Sequence, residues 1–232
     1  MKMRRTVVLA GSLGLVAMLT SCAMVGPIET DTVSYDVSDE VTALEVETDA
    51  LNVEVVESDR QGIHVTEHLQ WRRTKPTTSH EARGGTLVLG FTCPGGLMGG
   101  AASCDVGYTV EIPRGLSVKA VSDSGDVKLR ALSGKVEAQT DSGAIEAAAL
   151  TGKEINSKSD SGDITLAFDA RPDKVETLTD SGASVLRVPG GPYNVTLTTD
   201  SGARKLNTAH DPSAKRTINV SSDSGDIEVA TS

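Results

Sequence analysis

Six segments of the chain share one order of aliphatic and polar positions, each centred on an Asp-Ser-Gly tripeptide. The tripeptides are Asp123-Ser124-Gly125, Asp141-Ser142-Gly143, Asp160-Ser161-Gly162, Asp180-Ser181-Gly182, Asp200-Ser201-Gly202 and Asp223-Ser224-Gly225. Five residues before each Asp stand Val118, Val136, Ile155, Val175, Val195 and Ile218, all aliphatic and β-branched. Four before it the residue is polar: Lys119, Glu137, Asn156, Glu176, Thr196 and Asn219. Three before it are Ala120, Ala138, Ser157, Thr177, Leu197 and Val220, and immediately before it is always Ser or Thr. Six after it come Leu129, Ala147, Leu166, Leu186, Leu206 and Val229. Alternation of this kind is the period of a strand with one buried face. Each unit is therefore expected to hold a strand, a sharp corner at Asp-Ser-Gly, and a second strand.

The tripeptides recur at intervals of 18, 19, 20, 20 and 23 residues. A period near twenty points to stacked units rather than a compact globule. Two strands and two corners leave no room for a helix, and the simplest assembly stacks each unit on the one before it as a coil of a parallel β-solenoid. Like residues then form ladders about 4.8 Å apart. A sandwich of hairpins could carry strands at this spacing but would not need the same residues in every unit. At the corner, the Asp side chain is expected to accept the amide two residues on, and Gly to supply a positive φ.

Residues 41–57 carry a divergent copy of the template, with Leu44, Val46, Thr48, Val53 and Val55 set around Asp49. Residues 58–115 break the period. Strands are expected at Gly62–Gln70, Gly85–Phe91 and Tyr108–Ile112, with a polar loop at Lys75–Gly84 and a glycine-rich loop at Pro94–Ala102. The regular array then occupies 116–232, behind a β-rich part at 41–115. The opposite connections, as in Arg187–Asn194 and Asn207–Thr217, vary in length and proline content. Partners are expected along that variable edge, with Tyr193 and His210 as exposed contacts, because repeat proteins often bind there. The sixth unit ends three residues before the last residue of the sequence. Its open strands would be either solvated or available for weak self-association through the C-terminal coil.

Residues 1–21 look like a signal peptide. Lys2, Arg4 and Arg5 precede an apolar run from Val7 to Leu19 that is too short to span a bilayer. The run ends in Leu19-Thr20-Ser21-Cys22, which resembles the bacterial lipobox, so Cys22 is expected to carry lipid and residues 22–40 to form a lipidated tether. The chain would then be held on the extracytoplasmic side of a bacterial cell membrane. Cys93 and Cys104 remain as an even pair, and outside the cytoplasm a disulfide is the expected state. Cleavage would leave 19 Lys and Arg against 32 Asp and Glu. That acidity argues against nucleic acid and anionic headgroups as partners.

With the lipobox and the β-rich head, the six units resemble a bacterial family of domains labelled "putative adhesin", related to the auto-transporter adhesin head domain. The resemblance implies a right-handed parallel β-helix and a cell-envelope location. It brings no catalytic residues with it.

The chemistry-bearing residues point the same way. A protease would need one base for one nucleophile, and six equivalent serines share four histidines. Carbohydrate cleavage would need a unique pair of carboxylates, which no unit carries. Stacked Asp residues, reinforced by Asp126, Asp163 and Asp226, make a cation such as Ca²⁺ the alternative role, although the glycine-aspartate nonapeptide of calcium-binding rolls is absent. His64 and His68 should face one way on a strand without a third metal ligand. Trp71-Arg72-Arg73-Thr74-Lys75 is the one basic cluster, expected as a solvated strand end or a contact for an acidic polymer. These observations lead to a non-enzymatic, lipid-anchored adhesion or interaction module, with no cofactor, no metal, and an envelope protein or polymer as partner.

Overall fold

The computed structural model describes residues 27–94 and 104–232; the signal peptide, Cys22 and most of the glycine-rich loop lie outside the described residues. The described residues form nineteen strands and no helix. The N-terminal strands are β1 (Glu29–Val37), β2 (Ala43–Thr48), β3 (Val53–Glu57), β4 (Ile63–Trp71), β5 (Thr77–Arg83), β6 (Thr86–Thr92) and β7 (Cys104–Ile112). The first three units supply β8 (Ser117–Ser122) with β9 (Val127–Arg130), β10 (Val136–Thr140) with β11 (Ile145–Leu150), and β12 (Glu154–Ser159) with β13 (Ile164–Phe168). The last three supply β14 (Lys174–Thr179) with β15 (Ser184–Val188), β16 (Asn194–Thr199) with β17 (Arg204–Asn207), and β18 (Thr217–Ser222) with β19 (Ile227–Thr231).

In every unit the strand before Asp-Ser-Gly joins one sheet and the strand after it joins the other. The nine-stranded sheet runs β16-β18-β14-β12-β10-β8-β2-β6-β5, and the ten-stranded sheet runs β1-β4-β7-β3-β9-β11-β13-β15-β19-β17. Pairing within the array is parallel and places template positions side by side, as in Val118↔Val136 and Val136↔Ile155. The core lies between the sheets. Val118, Val136, Ile155, Val175, Ile218, Leu129, Leu166, Leu186 and Val229 are all buried there. Small partners at Ala120, Ala138 and Ala147 allow the two sheets to close with few aromatic residues.

The divergent segment is a coil, as its sequence predicts, and it stacks on β8 and β9 through Leu44↔Val118 and Val55↔Leu129. Four other expectations change. Coils do not all stack in chain order: the sixth unit (β18, β19) lies between the fourth (β14, β15) and the fifth (β16, β17), and the fifth ends the array. Part of the expected tether is strand β1, paired antiparallel with β4 from Glu29↔Trp71 to Val37↔Ile63. The expected loop at Lys75–Gly84 contains β5, antiparallel to β6. Both segments read as polar because an edge strand has a neighbour on one side only, so nothing demands an apolar face. Finally, the corner glycines do not have positive φ; among the described glycines that conformation occurs at Gly62, Gly84, Gly85, Gly115 and Gly191.

Candidate functional site

The corner ladder is held by main chain and buried hydroxyls, not by its carboxylates. Each corner Ser amide donates to the corner Asp carbonyl of the coil beneath: Ser142 to Asp123 at 2.9 Å, Ser161 to Asp141 at 2.9 Å and Ser181 to Asp160 at 3.0 Å. In every unit but the fifth, the residue before the Asp points inward and accepts the corner Gly amide; Thr199 of the fifth, half-buried, donates to the Gly225 carbonyl at 3.1 Å. Ser122 accepts from Gly125 at 2.8 Å, Thr140 from Gly143 at 3.0 Å and Ser222 from Gly225 at 2.7 Å. Thr140 also donates to the Gly125 carbonyl below it at 3.3 Å. This replaces the expected Asp side-chain turn. Gly is required for room: a Cβ on Gly143, Gly162 or Gly182 would come closer than 3.0 Å to the carbonyl of the glycine one coil down. The ladder also records the coil order, since Gly225 rests on Gly182 and Gly202 on Gly225.

The corner carboxylates therefore face solvent, and Asp160 alone among them has a cation close by, Lys158 at 3.1 Å. That hydrogen bond, with Asp180 and Asp141 beyond it, raises the Lys158 pKa. Three residues further on, the acids have a structural task. Asp126 accepts the Ala144 amide at 3.1 Å, Asp163 the Ala183 amide at 2.8 Å and Asp226 the Ala203 amide at 2.8 Å. In chain order these acids fall irregularly. In stacking order they alternate with alanine without exception: Asp126, Ala144, Asp163, Ala183, Asp226, Ala203. No two of these carboxylates are neighbours, so like charges are kept two coils apart while each one caps an amide. Among the described residues, no group of three or more His, Cys, Asp or Glu could hold a metal ion.

A groove of 460 Å³ opens where the regular ladder gives way to the head. Asp49, Ala50 and Leu51 of the divergent corner line one side, Gln70, Trp71 and Arg72 of β4 another, and Cys104 and Asp105 of β7 the floor. Cys93 and Cys104 are disulfide-bonded, with Cα atoms 5.7 Å apart, which fixes the start of β7 beside the groove. Asp105 is tied down by the Ala50 amide at 2.8 Å and the Thr48 hydroxyl at 3.2 Å. Asp49 is not so compensated. Though Asp49 is largely exposed, partial desolvation raises its pKa, and the neighbouring charges of Asp105, Asp123 and Glu47 add to the rise. Lys75 lies over the Trp71 ring at 5.4 Å and pairs with Asp31 at 2.6 Å. The groove thus combines an aromatic ring with the carboxylates of Asp49 and Asp105 and the side chain of Arg72, and Lys75 of the basic cluster is paired within the chain.

The remaining candidates separate. His64 and His68 do share the outer face of β4, but His64 contacts Asp36 at 3.0 Å and His68 contacts Thr109 at 3.2 Å. On the variable edge, Tyr193 is buried rather than exposed, its hydroxyl donating to the Pro189 carbonyl at 2.8 Å. His210 is exposed, with Nδ1 accepting the Val195 amide at 3.1 Å. Two buried acids have no signature in the repeat. Glu57 accepts the Ser133 amide at 2.9 Å, and Glu67 accepts the Tyr35 hydroxyl at 2.7 Å. Each belongs to a strand whose apolar alternation it interrupts once, which is the only signal the sequence carries.

A solved structure shares this architecture. A "putative cell adhesion protein" from Clostridium sporogenes aligns with a TM-score of 0.54 at 12% identity, covering 88% of this chain and 100% of that one. A "putative adhesin" from Bacteroides fragilis aligns with a TM-score of 0.47 at 14% identity, over 87% of this chain and 97% of that one. No curated protein matches the chain. The family model described as Toastrack DUF4097 matches residues 101–230, which include β7 and all six Asp-Ser-Gly units, and the chain belongs to that family.

Proposed function

We propose that the protein is exported, anchored by lipid on Cys22 to the extracytoplasmic face of a bacterial membrane, and acts without catalysis as an adhesion or envelope-interaction module. The observation that carries this reading is the stacking of eight coils, from β6 and β7 to β16 and β17, into one continuous array. At about 4.8 Å per coil the array spans about 34 Å, a spacer able to hold a contact surface off a membrane. Strand-to-strand crossovers in parallel sheets favour the right hand, which supports a right-handed solenoid of about twenty-residue coils. The disulfide supports an oxidising compartment. The description of the Clostridium protein as one of cell adhesion supports adhesion as the role. The Trp71 groove is the proposed contact for a protein or polymer of the envelope.

Two experiments test the parts separately. Cys22→Ser should move the protein from the membrane fraction to the soluble one or leave an uncleaved precursor; an unchanged membrane-bound mature form removes the anchor. The mature chain, used as bait with solubilised envelopes, should retain partners that Trp71→Ala retains less well. Equal retention by both proteins removes the groove, and no retention by either removes the interaction role.

A further inference from the structure

We propose that the C-terminal coil, residues 217–232, can leave its slot, whereupon the fifth coil closes onto the fourth about a hinge at Gly190 and Gly191. The connection from the fourth coil to the fifth, residues 189–193, has the same length as 131–135 and 169–173. Those two climb one coil, about 4.8 Å, whereas 189–193 crosses two. It reads Pro189-Gly190-Gly191-Pro192-Tyr193, and Gly191 has a φ of +152°, a conformation open to glycine.

The register permits the closure. Glu176 and Thr196 both pair with Asn219, one from each side, and Val185 and Lys205 both pair with Glu228. Removing β18 and β19 brings β16 onto β14 and β17 onto β15 without a shift. One buried group gains a partner by it. Ser184 is fully buried with a hydroxyl that has no hydrogen bond, and its register partner on β19 is Ile227. Ile227 in turn pairs with Arg204, so in the closed arrangement Arg204 stands opposite Ser184 and can donate to it. Against release stand the pairing of β18 and β19 on both sides, the burial of Ile218, Val220, Ile227 and Val229, the Asp226 bond to the Ala203 amide, and the contacts of Glu228 with Arg187 at 2.6 Å and Lys205 at 3.2 Å. The docked coil is the ground state. Once out, it carries two strands with free edges, the form in which a peptide segment adds to a partner's sheet.

Disulfide trapping in the full chain tests the idea. A disulfide needs Cα atoms about 4.4–6.8 Å apart, which neighbouring parallel strands satisfy and strands two coils apart do not. The pair Glu176→Cys with Asn219→Cys should oxidise readily, reporting the docked order. Glu176→Cys with Thr196→Cys should oxidise slowly and within one chain. The control, Lys119→Cys with Asn156→Cys, has the same two-coil separation in a part of the array that stacks in chain order. It should oxidise several-fold more slowly than the Glu176–Thr196 pair, since only general unfolding brings it together. Asp226→Ala should speed the Glu176–Thr196 trap about five-fold, the factor for one ordinary hydrogen bond, and leave the control unchanged. Equal rates for the two distant pairs, indifference to Asp226→Ala, or a trap found only in dimers would each overturn the proposal.

Discussion

At the scale of single residues, close approach rather than backbone conformation explains the corner glycine. Gly162 sits over the Gly143 carbonyl, and a methyl group there forces the two coils apart along a ladder that cannot stretch at one rung. Gly162→Ala is therefore expected to cost about 1–3 kcal/mol in chemical denaturation, the usual range for overpacking. Asp49 makes a second residue-scale case. Its folded pKa lies above the ordinary 3.8, through partial desolvation and then the charges of Asp105, Asp123 and Glu47, so the folded state binds the proton more tightly than the unfolded chain does. Stability therefore falls as pH rises from 3.8 through the raised folded value. Asp49→Asn should raise Tm at neutral pH, with the gain disappearing in acid below both values. A gain that persists there would assign the effect to something other than ionisation.

At the scale of elements, strands and corners were legible because each repeats six times, and the reasons for the corner were not. Period-two alternation fixes which side chains face inward, so Val118, Val136 and Ile155 could be placed in the core at sight. The invariant Ser or Thr before each Asp was equally visible, but its partner is an amide three residues on and a carbonyl one coil away. Only stacking brings that carbonyl near. Edge strands β1 and β5 were missed for the converse reason, since a strand with one neighbour needs no apolar face. The groove was half legible: Trp71 stood out, while Asp49 and Asp105, far apart in the chain, meet only through the β2–β7 arrangement. The corner hydroxyl has a direct test in Thr140→Val, which keeps the shape and leaves the buried Gly143 amide without its acceptor. A loss of about 1–3 kcal/mol is expected in denaturant melts, with Thr140→Ser close to the parent protein.

At the scale of the whole molecule, the exchange of the fifth and sixth coils puts the fifth, with Arg204, on the outermost strands of the array. The inward position four residues after each corner Asp is filled by Val127, Ile145, Ile164, Ser184 and Ile227, all buried, but by Arg204 in the fifth unit. Stacked in chain order, that guanidinium would be enclosed between Ser184 and Ile227, at a cost of several kcal/mol. At the end it reaches water, and β17 is exposed along its whole length. An inward-facing charge on a terminal strand is also a recognised guard against edge pairing. The sixth unit, with Ile227 at that position, is the one fit for the interior, so Arg204 accounts for both the order of the coils and the blunting of the end. When docked, the C-terminal coil is not the open face, since β18 and β19 each have a neighbour on both sides. Arg204→Ile should remove the guard and add a third aliphatic side chain to Leu206 and the partly buried Leu197 on the outermost coil, giving an apolar end with two free edges. Sedimentation of the mature chain should then show association that grows with concentration, while the parent protein stays monomeric over the same range. A monomeric variant would mean that the edges are protected by something other than Arg204, and association of both proteins would mean that the end is not protected at all.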